Sequence, residues 1–298
     1  MLSDNILPPT TAGINPEKFT DKFIFAQNRQ TIILFLAFIT IFGFFLRVNQ
    51  LGAESFGEDE FNKLVTVNEY RDFGLSGHNG EHPFLMKGMQ TISIILIEKW
   101  NLFFSDKLNF QISEETALRL PTVIIGSLTI IALYFLFAEL FGTSIGLICA
   151  SIWSFDSAVI GFNRIAKEDS FFIFFFILAN IFLIKSQTAA ERGNRNYLHY
   201  FWISAIPFGG MLASKYYPHF FAVSVAYFNI FVGISSTKWH ILKVKWLYFF
   251  VLVGIAFVFF NPTIFLPSTW HEMLVFSSEK RIGHDAYEYL GKGRFVSK

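Results

Sequence analysis

Apolar residues in this chain gather into runs longer than a soluble fold uses. Stretches 31–48, 119–140, 142–160, 169–185 and 246–262 are each close to bilayer-crossing length, which is about 20 residues at a rise of ~1.5 Å each. The stretch 198–234 is too long for one crossing, since a single helix of that length would reach about 55 Å. It reads as two spans broken near Ser214-Lys215-Tyr216-Tyr217-Pro218, where the proline favours a break. Segment 83–104 is apolar but carries Lys87, Glu98 and Lys99, and the basic short loops decide its place. Lys185, Arg192 and Arg195 share one loop, Lys238, Lys243 and Lys245 another, and Lys18, Lys22 and Arg29 the N-terminal tail. The positive-inside bias puts all three on the cytoplasmic side, so an even number of crossings must separate each pair. The four clear spans between residues 30 and 185 satisfy that parity without 83–104. That segment therefore reads as a helix lying at the interface or dipping into it.

The pattern predicts an all-α polytopic membrane protein. A cytoplasmic tail covers 1–30, and seven spans lie within 31–262. The first outer loop, 49–118, holds interfacial helices, and 263–298 is an outer loop or tail. Composition agrees. The chain is 53% hydrophobic with 40 Phe, and only 16% of it is charged, against about a quarter in soluble domains. A net charge of +1 gives no field that would gather nucleic acid. The single cysteine, Cys149, excludes an intramolecular disulfide. Residues 1–30 lack the apolar core and cleavage site of a secretory signal. No phosphate-binding loop, dinucleotide fingerprint or nucleophile elbow occurs. His271 and Glu272 lack metal-ligand spacing, so nothing supports a divalent metal or other cofactor.

The candidate chemistry falls on one side. Asp59, Glu60, His82, Arg164, Lys167, Asp169, Lys215 and His284 all lie at outer ends of spans or in outer loops, although none of them set the orientation. Ser55-Phe56-Gly57-Glu58 has capping-box spacing and would start a helix with Asp59 and Glu60 in its first turns. The helix dipole there favours ionised carboxylates, as a general base requires. A solvated acidic helix start is the plainer reading. His82 is either a surface residue before Pro83 or a donor to a phosphate. Arg164 and Lys167 in a short outer loop run against the positive-inside bias. They suit lipid phosphate or snorkel to ordinary head groups, with Asp169 a partner for one of them. Lys215 interrupts a long apolar stretch, which marks either a functional group or a span end.

These residues also carry a resemblance. Asp59-Glu60, His82-Pro83-Phe84-Leu85, Ala117-Leu118-Arg119-Leu120-Pro121, Arg164-Ile165-Ala166-Lys167-Glu168-Asp169 and Ser214-Lys215-Tyr216 follow one another. In order, spacing and side they resemble the GT-C glycosyltransferases, in particular the protein O-mannosyltransferase-like branch and the aminoarabinose transferases that modify lipid A. The resemblance spans roughly residues 31–290. It departs where Phe84 replaces a second proline and where Glu58 extends the acidic pair to a triplet. Relatives continue with further spans, so the sequence reads either as a piece of a longer protein or as a short version holding only the seven-span module.

The resemblance implies a membrane-embedded inverting transferase. It would move a sugar from a polyprenyl-phosphate carrier to a hydroxyl of a protein, lipid or glycan acceptor. Asp59 would be the general base and Glu60 would help to hold the acceptor. Arg164 would bind the leaving phosphate, with Lys215, Lys167 and His82 as further candidates and Asp169 and His284 nearby. The expected partners are the bilayer, the lipid-linked donor and the acceptor, with no nucleic acid. The expected location is a prokaryotic plasma (inner) membrane with the site facing out. A non-catalytic lipid-phosphate-binding relative and a transporter or subunit are the alternatives. Transporters show internal repeats and mid-membrane polar sites, whereas this chain shows no repeat and a polar cluster at one surface.

Overall fold

A computed structural model describes residues 28–104, 111–220, 224, 239, 241–282, 287–290 and 294–297. The helices are α1 (Arg29–Val48), α2 (Glu58–Phe73), α3 (Phe84–Phe104), α4 (Glu114–Phe141), α5 (Thr143–Phe155), α6 (Ser157–Asn163), α7 (Glu168–Glu191), α8 (Tyr197–Ser214), α9 (Lys243–Phe260) and α10 (Pro267–Ile282). A short antiparallel pair, β1 (Tyr287–Leu290) and β2 (Arg294–Ser297), follows, with Tyr287 opposite Ser297. Among the described residues the protein is all-α apart from this hairpin, and α1, α4, α7 and α9 are each long and apolar enough to cross a membrane.

The expected span over 142–160 is two helices, α5 and α6, bent by 64°. Asp156 makes the break: its backbone is extended and its carboxylate accepts from Val159 N at 2.9 Å, capping α6. The pair counts as a fifth crossing if it is one broken span. α8 ends at Ser214 with Lys215 extended, where the sequence predicts the break. The second half of the 198–234 run lies mostly outside the described residues.

α3 is not among the candidate spans. It runs along the first half of α4, with Ser93 Oγ donating to Ala117 O at 2.7 Å and Gln90 Nε2 to Leu118 O at 3.2 Å. Its first amide, Phe84 N, donates to buried Asn261 Oδ1 at 2.8 Å, just past the end of α9. Near its other end Asn101 exchanges two hydrogen bonds with Ile112. Both ends of α3 are thus tied to residues that flank the spans.

The core among α7, α8 and α9 is aromatic. Phe201 stacks on Phe249 with ring centroids 4.7 Å apart, and Trp239, Trp246 and Phe208 pack around them. Rings of this size have about 150–250 Å² of surface to pack, and between membrane-spanning helices it is this close van der Waals contact that holds them together. The end of the bundle carrying residues 49–60 and 164–169 is built differently, from ion pairs and hydrogen bonds to carbonyls.

Candidate active site

α2 starts two residues later than the capping-box spacing predicts. Gly57 is the N-cap and Glu60 stands at the third helical position, where Oε2 accepts from Gly57 N at 3.0 Å. Gly57 has no side chain to return the bond, so Arg119 completes the arrangement. Its Nε donates to Glu60 Oε1 at 2.9 Å and its Nη2 to Oε2 at 2.7 Å. The remaining donors of Arg119 reach the carbonyls of Leu51, Glu54 and Ser55 at 2.9–3.0 Å. Ala166 N adds a fourth bond to Glu60, at 2.9 Å to Oε1. Glu60 is 3% exposed. Burial alone would raise its carboxyl pKa, but Arg119 and the two backbone amides outweigh it and hold the group below its ordinary value. The knot joins the first loop, α2, α4 and the 164–167 loop.

Asp59 points the other way. Its side chain is 64% exposed, and Oδ2 lies 3.1 Å from Lys167 Nζ. That contact lowers its pKa first, partial desolvation opposes it, and the charges of Lys63, Lys167 and His82 help to hold it down. Asp59 and Lys167 line a cavity of about 690 Å³ together with Glu60, Arg119, Arg164 and Phe56. The site thus holds an ionised, reachable carboxylate beside an exchangeable ammonium, on a floor set by the Glu60–Arg119 knot.

Arg164 lines the same cavity but its guanidinium is engaged. Nη1 donates to Asn49 O at 2.7 Å and Leu46 O at 3.3 Å, and Nη2 to Gln50 O at 3.2 Å. It thereby serves the orphan carbonyls at the C-terminus of α1.

A second cluster lies beyond Asp59. Lys63, whose Nζ donates to Asp59 O at 3.4 Å, stands 3.3 Å from Glu168 Oε1, and both side chains are nearly inaccessible. His82 Nδ1 lies 3.5 Å from the same oxygen. Burial keeps the imidazole below its ordinary pKa, with Glu168 pulling the other way. Lys87 donates to Asn79 O at 2.6 Å and is pushed down to about 8 by burial. Asp169, the expected partner of Arg164 or Lys167, pairs instead with Lys215 at 2.7 Å. Lys215 also lies over the ring of Tyr217.

Of the sequence candidates, Asp59, Glu60, Arg164 and Lys167 share one cavity. His82 joins through Glu168 and Lys63, and Asp169 and Lys215 form a neighbouring pair. His284 lies outside the described residues. Sequence reasoning passed over Arg119, Lys63 and Glu168. Signals existed for all three: Lys63 follows Asp59 by one helical turn, and Arg119 and Glu168 lie within the Ala117–Pro121 and Arg164–Asp169 runs, though neither was given a role. Among the described residues no three His, Cys, Asp or Glu side chains are placed to hold a metal ion.

The comparison with known proteins fits this geometry. A family model for dolichyl-phosphate-mannose-protein mannosyltransferases matches residues 100–265, more than half of the chain. The chain belongs to that family. It is an integral membrane glycosyltransferase of the GT-C, mannosyltransferase type, which uses a polyprenyl-phosphate sugar donor. No curated protein matches the chain at a significant level. The mannosyltransferase match takes in Arg119, Arg164, Lys167, Glu168, Asp169 and Lys215, whereas Asp59, Glu60 and His82 precede it. Those three are tied to the matched region by contact: Glu60 to Arg119 and Ala166, Asp59 to Lys167, and His82 to Glu168.

Proposed function

We propose that this mannosyltransferase passes its sugar, with inversion at the anomeric carbon, to an acceptor hydroxyl on the extracytoplasmic face of the membrane, and that Asp59 is the general base. The observation that carries the reading is the split between the adjacent carboxylates. Glu60 accepts four hydrogen bonds, while Asp59 stands exposed at the cavity with its pKa held down. An ionised carboxylate within reach of a hydroxyl is what base catalysis needs.

In the step, the acceptor oxygen attacks the anomeric carbon from the face opposite the phosphate. Its proton passes to Asp59, and the bond from carbon to phosphate oxygen breaks with the electron pair leaving on the phosphate. Fixed cations stabilise the charge that develops there. Lys167 is the best-suited cation, because its half-exposed ammonium lines the cavity and its one ion pair among the described residues is with the exposed Asp59. Lys215 and His82, outside the cavity lining and paired with Asp169 and Glu168, take the outlying part of the head group. Glu60 is then a positioning residue. The outward orientation rests on the basic loops 185–197 and 235–245, and a prokaryotic plasma membrane is the proposed location.

The test is transfer of labelled mannose from a polyprenyl-phosphate carrier in membranes holding the wild type or Asp59→Asn. Loss of about 10²–10⁴-fold is expected, and full activity in the variant rejects the base. For orientation, a cysteine at position 192 in a Cys149→Ser chain should react with impermeant reagents from the cytoplasmic side only.

A further inference from the structure

The inner stripe of α1 is unusual for a membrane-spanning helix. Its buried residues are Ile39, Gly43 and Arg47. Arg47 is 0% exposed and makes no ion pair among the described residues. A charge taken out of water without a counter-ion is costly, so its ligands must explain why it is there. Nη2 donates to Trp153 O at 2.7 Å, Nη1 to Ser154 O at 3.2 Å and Gly43 O at 2.9 Å, and Nε to Asn163 Oδ1 at 3.1 Å. Trp153 and Ser154 come just before the Asp156 break, and Asn163 ends α6. Arg47 therefore grips both sides of the bend.

The grip is returned. Arg164, the residue after Asn163, donates to the carbonyls of Leu46, Asn49 and Gln50 around the end of α1. The two arginines form a reciprocal clasp: from α1, Arg47 holds Trp153, Ser154 and Asn163, and from the end of α6, Arg164 holds the carbonyls that close α1. Close approach supports it. A Cβ on Gly43 would lie 2.5 Å from Ser154 Oγ, and one on Gly126 would lie 2.5 Å from Asn163 Cγ. Asn163 Nδ2 passes the restraint on to Ser170 Oγ at 3.0 Å, in the first turn of α7. The 164–167 loop is thus held at its root by the clasp and at its middle by Ala166 N on Glu60. Its last residue, Lys167, stands against Asp59.

We propose that Arg47, which is not among the residues lining the cavity and donates its hydrogen bonds to none of them, is a positioning residue for the transfer reaction: its hold on Asn163, with the hold of Arg164 on the end of α1, sets the loop that presents Lys167 to Asp59. The proposal rests on Asp59 being the base. Small displacements of catalytic groups cost rate steeply, and a loosened Lys167 also removes the charge that keeps Asp59 ionised at low pH.

The experiment compares the full chain in lipid nanodiscs as wild type, Lys167→Met, Asn163→Ala, Arg47→Lys and the double variant Asn163→Ala/Lys167→Met. The rate of mannosyl transfer is recorded against pH, with a melting temperature for each protein. Lys167→Met is expected to move the acidic limb of the profile to higher pH. Asn163→Ala and Arg47→Lys are expected to move it the same way and to lower the plateau rate about tenfold. The double variant should move the limb no further than Lys167→Met. Asn163→Ala removes one contact and keeps the guanidinium on Trp153 and Ser154, so it is the variant to read if Arg47→Lys does not fold. A limb that moves in Lys167→Met but stays at its wild-type pH in Asn163→Ala and Arg47→Lys would overturn the clasp as a positioning device, even if both melt earlier. Additive shifts in the double variant would overturn it too. Full activity in Asp59→Asn instead rejects the base assignment, so the two failures are told apart.

Discussion

Asp59 and Glu60 are adjacent on α2 and live under opposite electrostatics. Glu60 is buried and takes bonds from Arg119, Gly57 N and Ala166 N, whereas Asp59 faces a cavity and meets Lys167 from the solvent side. A buried carboxylate with every lone pair answered is fixed in place, and removing its partner strands a charge. An exposed pair is worth little to stability but can be opened by a substrate. The same two residue types thus make a structural knot in one place and a chemical tool one residue away.

The largest effect expected from breaking this contrast is on rate. Asp59→Asn should cost about 10²–10⁴-fold in transfer while the melting temperature in detergent micelles stays near that of the wild type. Arg119→Met should do the reverse in kind, destabilising by about 3–5 kcal/mol because Glu60 is left buried and unpaired. Because the Glu60–Arg119 knot also forms the floor of the cavity, transfer should fall somewhat more than the folded fraction, but far less per folded molecule than in Asp59→Asn; a stable Arg119→Met as inactive as Asp59→Asn would remove the contrast.

Acid gives a finer separation. Glu60 has its folded pKa below the ordinary 4.5, so the unfolded chain binds more protons as pH falls through that window. The stability it contributes is complete above about pH 4.5 and is lost as pH drops through the lower folded value. Melting curves of Glu60→Gln should lose that part of the acid dependence and start from a lower melting temperature. The smallest effect serves as a control. Arg71 binds Asp72 and Glu98 on the surface, and Arg71→Ala should shift stability by no more than about 1 kcal/mol, with transfer unchanged.

Much of the frame is visible in the sequence. The apolar runs locate α1 and α9 to within three residues at each end and miss one end of α4 and of α7 by five and six, where those helices continue into polar sequence, and Pro218 marks the break after Ser214. The bend at Asp156 went unread because a single acid inside an apolar run looks like a span end until its cap to Val159 N is seen. The capping box was legible as a helix start, but its register followed Glu60, whose oxygens are fixed by Arg119 59 residues away.

Hydropathy and short-loop charge are local quantities, and by themselves they determined that this chain is a polytopic helical membrane protein with its ionisable residues gathered at span ends. Charge pairing is not local. Asp169 takes Lys215 and not Arg164 or Lys167, Lys167 takes Asp59, and Glu168 gathers Lys63 and His82. Arg164, a phosphate ligand by resemblance, closes the end of α1. Only the tertiary structure decided these partnerships, because an ion pair forms between groups that packing brings within a few ångströms, and helix packing sets those distances across 46 to 118 residues of chain.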